Sequence, residues 1–248
     1  MKKLLLSVLT LILLVSVAVS QDKPWTDWTK EQAQKMLDHS AWGQTQTDTD
    51  TSEMNYSPTS TPGSGGAAAT RADRTAVNAS RVGQGAVNQA VTINYRIRLL
   101  SAKPVREAFM RMVALAQTNV DQQTLEGLQA FVDRDFSSFI VLAVDLDAND
   151  GRFSAPARQA FASATIGTLK NKTYLERKDG KRLYLMQYRE PIADGLGAKF
   201  IFPRVVDGQQ FLTADTGTVR FVSELNSDIK LNVTFKLADM TYHGRLEY

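Results

Sequence analysis

The chain alternates apolar and polar residues most regularly over residues 91–99. In the stretch VTINYRIRL every second residue is Val, Ile, Tyr or Leu, and the residues between are Thr, Asn or Arg. A period of two predicts a half-buried strand. The stretch SFIVLAVDLD, residues 138–147, is apolar at nearly every position, which predicts a strand in the middle of a sheet, buried on both faces.

Three segments near these strands have the apolar spacing of helices. KPVREAFMRMVALAQ, residues 103–117, carries Pro104 in its first turn, where a missing N–H is tolerated. QQTLEGLQAFVDRDF, residues 122–136, predicts a second and shorter helix. SAPARQAFASATIGTLK, residues 154–170, predicts one helix that Ser154 caps, with apolar anchors at Phe161, Ile166 and Leu169.

After residue 170 the pattern changes to short strands separated by turn residues. TYLERKDGKRLYLMQY, residues 173–188, predicts a hairpin with Asp179-Gly180 as its two-residue turn. Five further strand-like stretches follow, separated by Asp-Gly, Thr-Gly and Asn-Ser pairs. Helices followed by an antiparallel sheet are typical of the α+β class. We therefore predict a single α+β domain over residues 90–248, with an antiparallel β-sheet and about three helices.

A separate amphipathic helix is predicted in PWTDWTKEQAQKMLDHSAW, residues 24–42. Thr29 and Gln32 have the spacing of a capping box, in which each side chain bonds to the backbone N–H of the other residue. All three tryptophans of the chain flank a stripe of Ala, Met and Leu. Because so short a helix is marginal alone, it has to dock on a protein surface. The candidate docking residues are Trp25, Trp28, Met36, Leu37 and Trp42.

Residues 44–89 are rich in Thr, Ser, Gly, Ala, Asn and Asp, and they contain few large apolar residues. Such a segment buries too little apolar surface to offset its ordering entropy, so it is predicted to be a long, flexible, disordered linker. The predicted organisation is a tryptophan-rich helical arm at residues 21–43, this linker, and then the α+β domain. A linker of this length lets the arm dock on its own domain or reach another envelope protein.

The first twenty residues, MKKLLLSVLTLILLVSVAVS, predict a secretory signal peptide. Two lysines precede an apolar run that ends in small residues, as in a cleavable signal. The alternative is an uncleaved anchor, because the run is only slightly shorter than a membrane span. We expect an exported protein, periplasmic or extracellular, with no membrane span after signal cleavage. The sequence has no cysteine, which excludes disulfides and thiolate metal sites.

The charge of the chain gives no indication of a nucleic-acid partner. The precursor has 29 Lys and Arg residues against 26 Asp and Glu residues. Two of these lysines belong to the predicted signal, so the mature chain has 27 basic and 26 acidic side chains. A protein that binds nucleic acid is expected to present a basic face, and a nearly neutral chain does not predict one.

The segment DLDANDGRF resembles the start of a calcium-binding loop. Asp145, Asp147 and Asn149 have the spacing of ligand positions 1, 3 and 5. Position 6 is Asp150, where such a loop needs glycine, and position 12 is Pro156 instead of the bidentate glutamate. We therefore interpret the segment as a turn after a strand and predict no metal site.

Other catalytic patterns are scarce in the sequence. The two histidines, His39 and His243, have no second His or Cys at the spacing of metal ligands, and no cofactor is predicted. There is no G-x-S-x-G elbow that would expose a nucleophilic serine. A carboxylate pair of the kind that hydrolyses glycosides is left open, with candidates near strand ends: Asp145, Asp147, Glu176 and Glu190.

Three stretches resemble a group of exported bacterial proteins whose function is uncharacterised. The first is WxxWT followed by AxxMLxxSAW, over residues 25–42, where that group commonly has Pro in place of Ala41. The others are FPR at residues 202–204 and FKLxDMxYxGxLE at residues 235–247. The resemblance implies a tryptophan arm, a variable linker and an α+β body. It implies no activity and no catalytic residue.

These observations favour a non-enzymatic interaction or structural module of the periplasm or cell exterior. Its N-terminal helix would bind its own domain, another envelope protein or a surface polymer, since aromatic anchors dominate interface energetics and a tether raises effective concentration. Two alternatives remain from the sequence. One is a carboxylate-dependent hydrolase of an envelope or extracellular polymer, and the other is a carrier of an apolar ligand in the concavity of the sheet.

Overall fold

The computed structural model describes residues 23–50, 91–148 and 151–248. The described residues contain five α-helices: α1 Lys30–Asp38, α2 Lys103–Ala116, α3 Gln122–Val132, α4 Gly151–Ser163 and α5 Ile166–Leu169. The predicted signal peptide, residues 1–20, and residues 51–89 of the predicted linker lie outside the described residues.

The same residues form thirteen β-strands, all in antiparallel pairs. The strands are β1 Gly43–Asp50, β2 Val91–Leu99, β3 Phe139–Ala148, β4 Thr173–Arg177, β5 Arg182–Tyr184, β6 Gln187–Arg189, β7 Ala198–Pro203, β8 Val205–Val206, β9 Gln209–Gln210, β10 Thr218–Glu224, β11 Lys230–Lys236, β12 Thr241–Tyr242 and β13 Arg245–Leu246. The predicted α+β class with antiparallel pairing is confirmed.

Two sheets form the body of the described fold. One has five strands in the order β1-β2-β3-β7-β6, and the other has four in the order β11-β10-β4-β5. Their inner faces pack on each other through aromatic residues, since the rings of Phe200 and Phe221 lie 5.3 Å apart and those of Phe202 and Phe221 lie 6.4 Å apart. The space between the sheets is therefore filled by side chains.

The two sheets share one continuous segment, residues 182–189, which crosses from one sheet to the other. Its first half, β5, pairs with β4, and its second half, β6, pairs with β7. At the crossing, the Leu185 N–H donates to the Thr173 carbonyl at 3.0 Å and the Met186 N–H donates to the Ile201 carbonyl at 2.9 Å. The predicted second strand of the hairpin is thus divided between two sheets.

On the opposite side of the body, two glutamine side chains bridge the edges of β1 and β11. The Gln46 amide donates to the Lys230 carbonyl and accepts from the Asn232 N–H, both at 2.8 Å. The Gln44 amide donates to the Thr234 carbonyl at 2.8 Å. The Gln46 carboxamide therefore pairs with β11 as the peptide group of a neighbouring strand would, and it satisfies part of an otherwise open sheet edge.

Replacing Gln46 with alanine is expected to lower the free energy of unfolding by about 1 kcal/mol, because its two exposed hydrogen bonds to β11 and its bond to the Asp48 carboxylate are lost. Urea denaturation followed by circular dichroism measures the change. Thr49→Ala is the matched control, since Thr49 is an exposed residue of the same strand. Equal losses in the two variants would show that the bridge between the sheets contributes nothing to stability.

The predicted linker boundary is wrong, because residues 43–50 form strand β1. This strand pairs with β2 along its whole length, from Gly43 opposite Arg98 to Asp50 opposite Val91. The turn from α1 into β1 is tight, and a Cβ atom at Gly43 would lie 2.0 Å from the Leu37 carbonyl oxygen. Helix α1 is therefore joined directly to the sheet, and it packs beside α2 of its own domain.

The segment predicted as one helix over residues 154–170 is two helices, α4 and α5. Thr165 between them has an extended backbone, with φ −132° and ψ 162°. Its hydroxyl accepts from the Thr168 N–H at 3.3 Å, which caps a new helix. The break turns Ile166, predicted to be a buried anchor, toward solvent, where it is 39% exposed.

Candidate functional site

The candidate docking residues of the N-terminal arm lie in the core of their own domain. The side chains of Trp25, Trp28, Leu37 and Trp42 are buried, and Met36 packs against the same core. The Trp25 indole donates to the Gln129 side chain at 2.9 Å, and the Trp42 indole donates to the Glu247 carbonyl at 2.6 Å. In this fold these four buried side chains are not available to another protein.

The stretches that carry the resemblance meet around the C-terminal strands. The ring of Trp42 contacts the ring of Tyr242 edge to face, with centroids 6.1 Å apart. The Arg204 guanidinium lies 4.1 Å from the ring centroid of Tyr248, and the Glu247 carboxylate accepts from the Lys103 N–H at 2.8 Å. These contacts thus support packing and the start of helix α2, and no motif residue lines either of the two cavities described below.

The four candidate carboxylates do not converge on one place. Asp145 and Asp147 both face Arg96, whose guanidinium lies 3.7 Å from Asp145 and hydrogen-bonds to Asp147. Glu176 belongs to the other sheet, where it accepts from Arg182 at 2.7 Å and from Arg220 at 2.8 Å. These bonds, that of Arg182 first, hold the pKa of Glu176 below its usual value, which suits an ionised structural partner.

The calcium-like segment is only partly described, because Asn149 and Asp150 lie outside the described residues. Helix α4 begins at Gly151, so the chain is helical where a calcium loop would continue. Within the described residues no group of three or more His, Asp or Glu side chains is placed to hold a metal ion.

A buried carboxylate joins helix α2 to the C-terminal strands. Glu107 is buried and accepts a hydrogen bond from the Tyr242 hydroxyl. Burial raises the pKa of Glu107, while the bond from Tyr242 and the charge of Lys103 oppose that rise. His243 contacts the ring of Tyr242 from the exposed side, with centroids 4.1 Å apart. This cluster packs tightly and does not line either of the two cavities described below.

A concave groove of about 900 Å³ lies on the outer face of the five-stranded sheet. Val141 stands beside Ile201, which stands beside Gln187, so the three side chains share this face and form the floor. The paired residues Leu142 and Phe200 point to the opposite face and into the core. The groove is therefore separate from the filled space between the two sheets.

Exposed apolar side chains line the groove from three separate parts of the chain. Phe139 at the start of β3 is 40% exposed, Ile166 at the start of α5 is 39% exposed, and Ile192 in the loop after β6 is 64% exposed. Phe131 and Phe136 line the side formed by the end of α3. Large apolar side chains gathered in one concave surface mark a binding site more often than isolated exposed ones do.

The loop over residues 191–197 forms one end of the groove and separates it from a second cavity of about 310 Å³. The loop needs glycine at residue 197, because φ is +76° there and a Cβ atom would lie 2.1 Å from the Val144 carbonyl oxygen. Gly195 has φ +73°. These two residues place the loop against the sheet and leave Ile192 between both cavities.

Hydrogen bonds fix the polar walls of the groove. The Tyr188 hydroxyl donates to the Phe161 carbonyl, which ties β6 to the end of α4. Burial, and then the charge of Glu190, raise the pKa of Tyr188 above its usual value. Lys199 forms an ion pair with Asp194. Of the candidate site residues from the sequence, Glu190 lines this groove and Asp145 lines the smaller cavity.

Comparison of the chain with protein-family models, with curated proteins and with solved structures finds no match. No helix among the described residues is long and apolar enough to cross a membrane. The sequence patterns did not indicate the groove on the five-stranded sheet.

Proposed function

We propose that the chain is an exported, non-enzymatic binding module, and that the groove on the outer face of the five-stranded sheet holds the apolar part of its ligand. The observation that carries this proposal is the exposure of Phe139, Ile166 and Ile192 around one concave surface. Exposed side chains of this size are stabilised by a ligand that removes them from water.

The size of the groove favours a small or chain-like ligand over a folded protein. Its volume of about 900 Å³ falls in the range of roughly 300–1,000 Å³ that is typical of small-molecule sites. A stable protein partner needs roughly 800 Å² of contact on each side, usually over a flatter surface. In this proposal the apolar ligand occupies the outer groove, because the space between the sheets is filled by side chains.

A binding role is supported over a catalytic one because three of the four candidate carboxylates are paired with arginine side chains. The side chains of Asp145 and Asp147 share one arginine, and that of Glu176 lies between two arginines of the other sheet. Glycoside hydrolysis needs two carboxyl groups that face each other across a substrate cleft. Of the four candidates, only Glu190 lines the groove.

Export remains part of the proposal, and its support comes from the sequence. The pattern of lysines, apolar run and small residues at residues 1–20 is that of a secretory signal. The resemblance to exported bacterial proteins agrees with it. A periplasmic or extracellular binding module without cysteine would depend on its packed core for stability.

Nile red, a neutral fluorescent probe for apolar sites, is expected to bind the protein, and Ile192→Asp is expected to weaken that binding about tenfold, since a charge would enter an apolar contact. Ile166→Asp should have a similar effect. Leu115→Asp is the matched control, because Leu115 is 42% exposed but lies outside the groove. Absence of Nile red binding, or equal binding by all three variants, would contradict the proposed site.

A further inference from the structure

The charged side chains that line the groove are three cations and three anions, and they occur in neighbouring pairs of opposite sign. The pairs are Arg134 and Asp135, Arg189 and Glu190, and Lys199 and Asp194. The first two pairs are consecutive in the chain, and the third is an ion pair. Every charge therefore has an opposite one close to it, and the groove presents no net charge that would select a charged ligand.

Asp135 counts as an anion although only neutral groups bind it. Its carboxylate accepts from the Ser137 N–H at 2.8 Å and from the Ser137 hydroxyl at 2.9 Å, and these bonds hold the pKa of Asp135 below its usual value. The four charged residues of the two consecutive pairs are all exposed, so water satisfies them. The two ions of the third pair satisfy each other.

One polar side chain on the floor of the groove is neutral and has no partner among the described residues. Gln187 is exposed beside Ile201, and no described residue hydrogen-bonds to its side chain. Its carboxamide offers two N–H donors and a carbonyl acceptor. A purely apolar ligand lying over Gln187 would take these groups out of water without replacing their hydrogen bonds, which costs free energy. A ligand with a hydroxyl group would replace them.

We propose that the ligand is a neutral amphiphile with one alkyl chain and a hydroxyl head, an inference that rests on the proposed function above. The alkyl chain lies on Val141 and Ile201, and the hydroxyl group exchanges hydrogen bonds with the Gln187 carboxamide. A charged head is disfavoured, because each charge that it could meet has an opposite charge beside it. Such a head would also lose more hydration free energy than a hydroxyl group does.

The floor of the groove suits an alkyl chain better than an extended peptide. Val141 and Ile201 lie on β3 and β7, which both have a paired strand on each side, so their backbone groups are already used within the sheet. A peptide lying on this floor would lose water from its own N–H and C=O groups and find only the Gln187 side chain as a partner. An alkyl chain has no such groups to satisfy.

The experiment measures displacement of Nile red from the purified full chain by three monomeric ligands that share a dodecyl chain: dodecanol, dodecanoate and dodecyltrimethylammonium. Dodecanol is expected to bind about tenfold more tightly than either charged ligand, because a charged head would lose hydration without gaining an unpaired counter-charge. A Val-Thr repeat peptide with blocked ends is expected not to displace Nile red.

Two substitutions separate the contact of the head from the balance of charge. Gln187→Leu is expected to weaken dodecanol binding about fivefold, because a hydrogen-bonding partner is lost, and to keep Nile red binding. Gln209→Leu is the matched control, since Gln209 is an exposed strand residue outside the groove. Glu190→Gln leaves three cations with two anions, so it should tighten dodecanoate binding about threefold and leave dodecanol binding unchanged.

The outcomes separate this inference from the proposed function. Wild-type binding of either charged ligand as tight as that of dodecanol would overturn the neutral head and leave the groove as an apolar site. Unchanged dodecanol binding in Gln187→Leu would overturn the contact with the carboxamide, and unchanged dodecanoate binding in Glu190→Gln would overturn selection by charge balance. Tighter binding of the peptide than of dodecanol would overturn the alkyl chain. If Nile red itself does not bind, the proposed function fails first.

Discussion

Replacing Trp28 with alanine is expected to lower the free energy of unfolding by about 3–5 kcal/mol, as for other fully buried aromatic residues. Trp28 is only 1% exposed, and it belongs to the same core as Leu37 of α1 and Val105 of α2. Trp28 immediately precedes Thr29, the residue that caps helix α1. The cavity left by its loss closes only if the start of the helix moves, so most of the penalty should persist.

The substitution tests packing more than hydrogen bonding, because most polar contacts at this position involve the backbone. The Trp28 carbonyl accepts from the Arg111 guanidinium at 2.6 Å, and alanine keeps that bond. Only the bond from the indole N–H to the Lys23 carbonyl, at 3.2 Å, is lost with the ring. The measured loss therefore reports how much the packing of the arm contributes to the free energy of unfolding of the domain.

Urea denaturation followed by near-ultraviolet circular dichroism provides the measurement. Lys35→Ala is the control, since Lys35 is an exposed residue of the same helix, and it should change stability by less than about 0.5 kcal/mol. If the alanine variant does not fold, Trp28→Phe retains an aromatic ring and reports a smaller loss. A decrease below about 1 kcal/mol for Trp28→Ala would contradict the packing of the arm on its own domain.

Sequence patterns predicted the elements whose signals lie among neighbouring residues. The Thr29 N–H donates to the Gln32 side chain at 2.9 Å and the Gln32 N–H donates to the Thr29 hydroxyl at 3.2 Å, as the capping-box spacing predicts. Gly180 has φ +83° in the predicted hairpin turn. These features depend on a few consecutive residues, so spacing and residue type are sufficient to find them.

Strand β1 was not predicted because its stabilising contacts are with distant residues. Its sequence, GQTQTDTD, alternates but has no apolar residue. The strand is held by its backbone pairing with β2, and Gln44 and Gln46 bond to carbonyls that lie 190 and 184 residues further along the chain. A polar edge strand does not need an apolar face. The polar composition of residues 43–50 therefore predicted a linker, although these residues form a strand.

The groove could not be predicted for a related reason. Phe139, Ile166 and Ile192 come from a strand end, a helix start and a loop, and each stretch looks ordinary by itself. The break between α4 and α5 that exposes Ile166 depends on the cap at Thr165. Apolar periodicity identifies which residues are suited to burial, but it does not show which ones the fold leaves uncovered.

A buried ion pair connects helix α1 to the sheet, and the sequence patterns did not predict it. Asp38 and Arg98 are 7% and 5% exposed, and the Arg98 guanidinium lies 2.7 Å from the Asp38 carboxylate. Arg98 also donates to the Leu37 carbonyl at 3.3 Å. Asp38 is the last residue of α1, where the helix dipole disfavours a negative charge. The cation on β2 offsets that unfavourable position.

Asp38→Ala is expected to lower the free energy of unfolding by about 3–5 kcal/mol, because it leaves the Arg98 charge buried without its main partner. The double variant Asp38→Leu with Arg98→Met is expected to recover most of this loss, since replacing both members of a buried pair with apolar residues is often nearly neutral. The loss in the single variant is therefore a penalty for an unpaired charge, not a measure of the net attraction of the pair.

Urea denaturation of the wild type, both single variants and the double variant completes a double-mutant cycle for this pair. Asp147→Asn is the matched control, because Asp147 pairs with the neighbouring Arg96 but its side chain is 51% exposed. An exposed pair contributes at most about 1 kcal/mol, so the control should lose far less than Asp38→Ala. Equal losses would mean that Asp38 behaves as a surface carboxylate. A double variant no more stable than Asp38→Ala would mean that the pair itself, and not the unpaired charge, accounts for the loss.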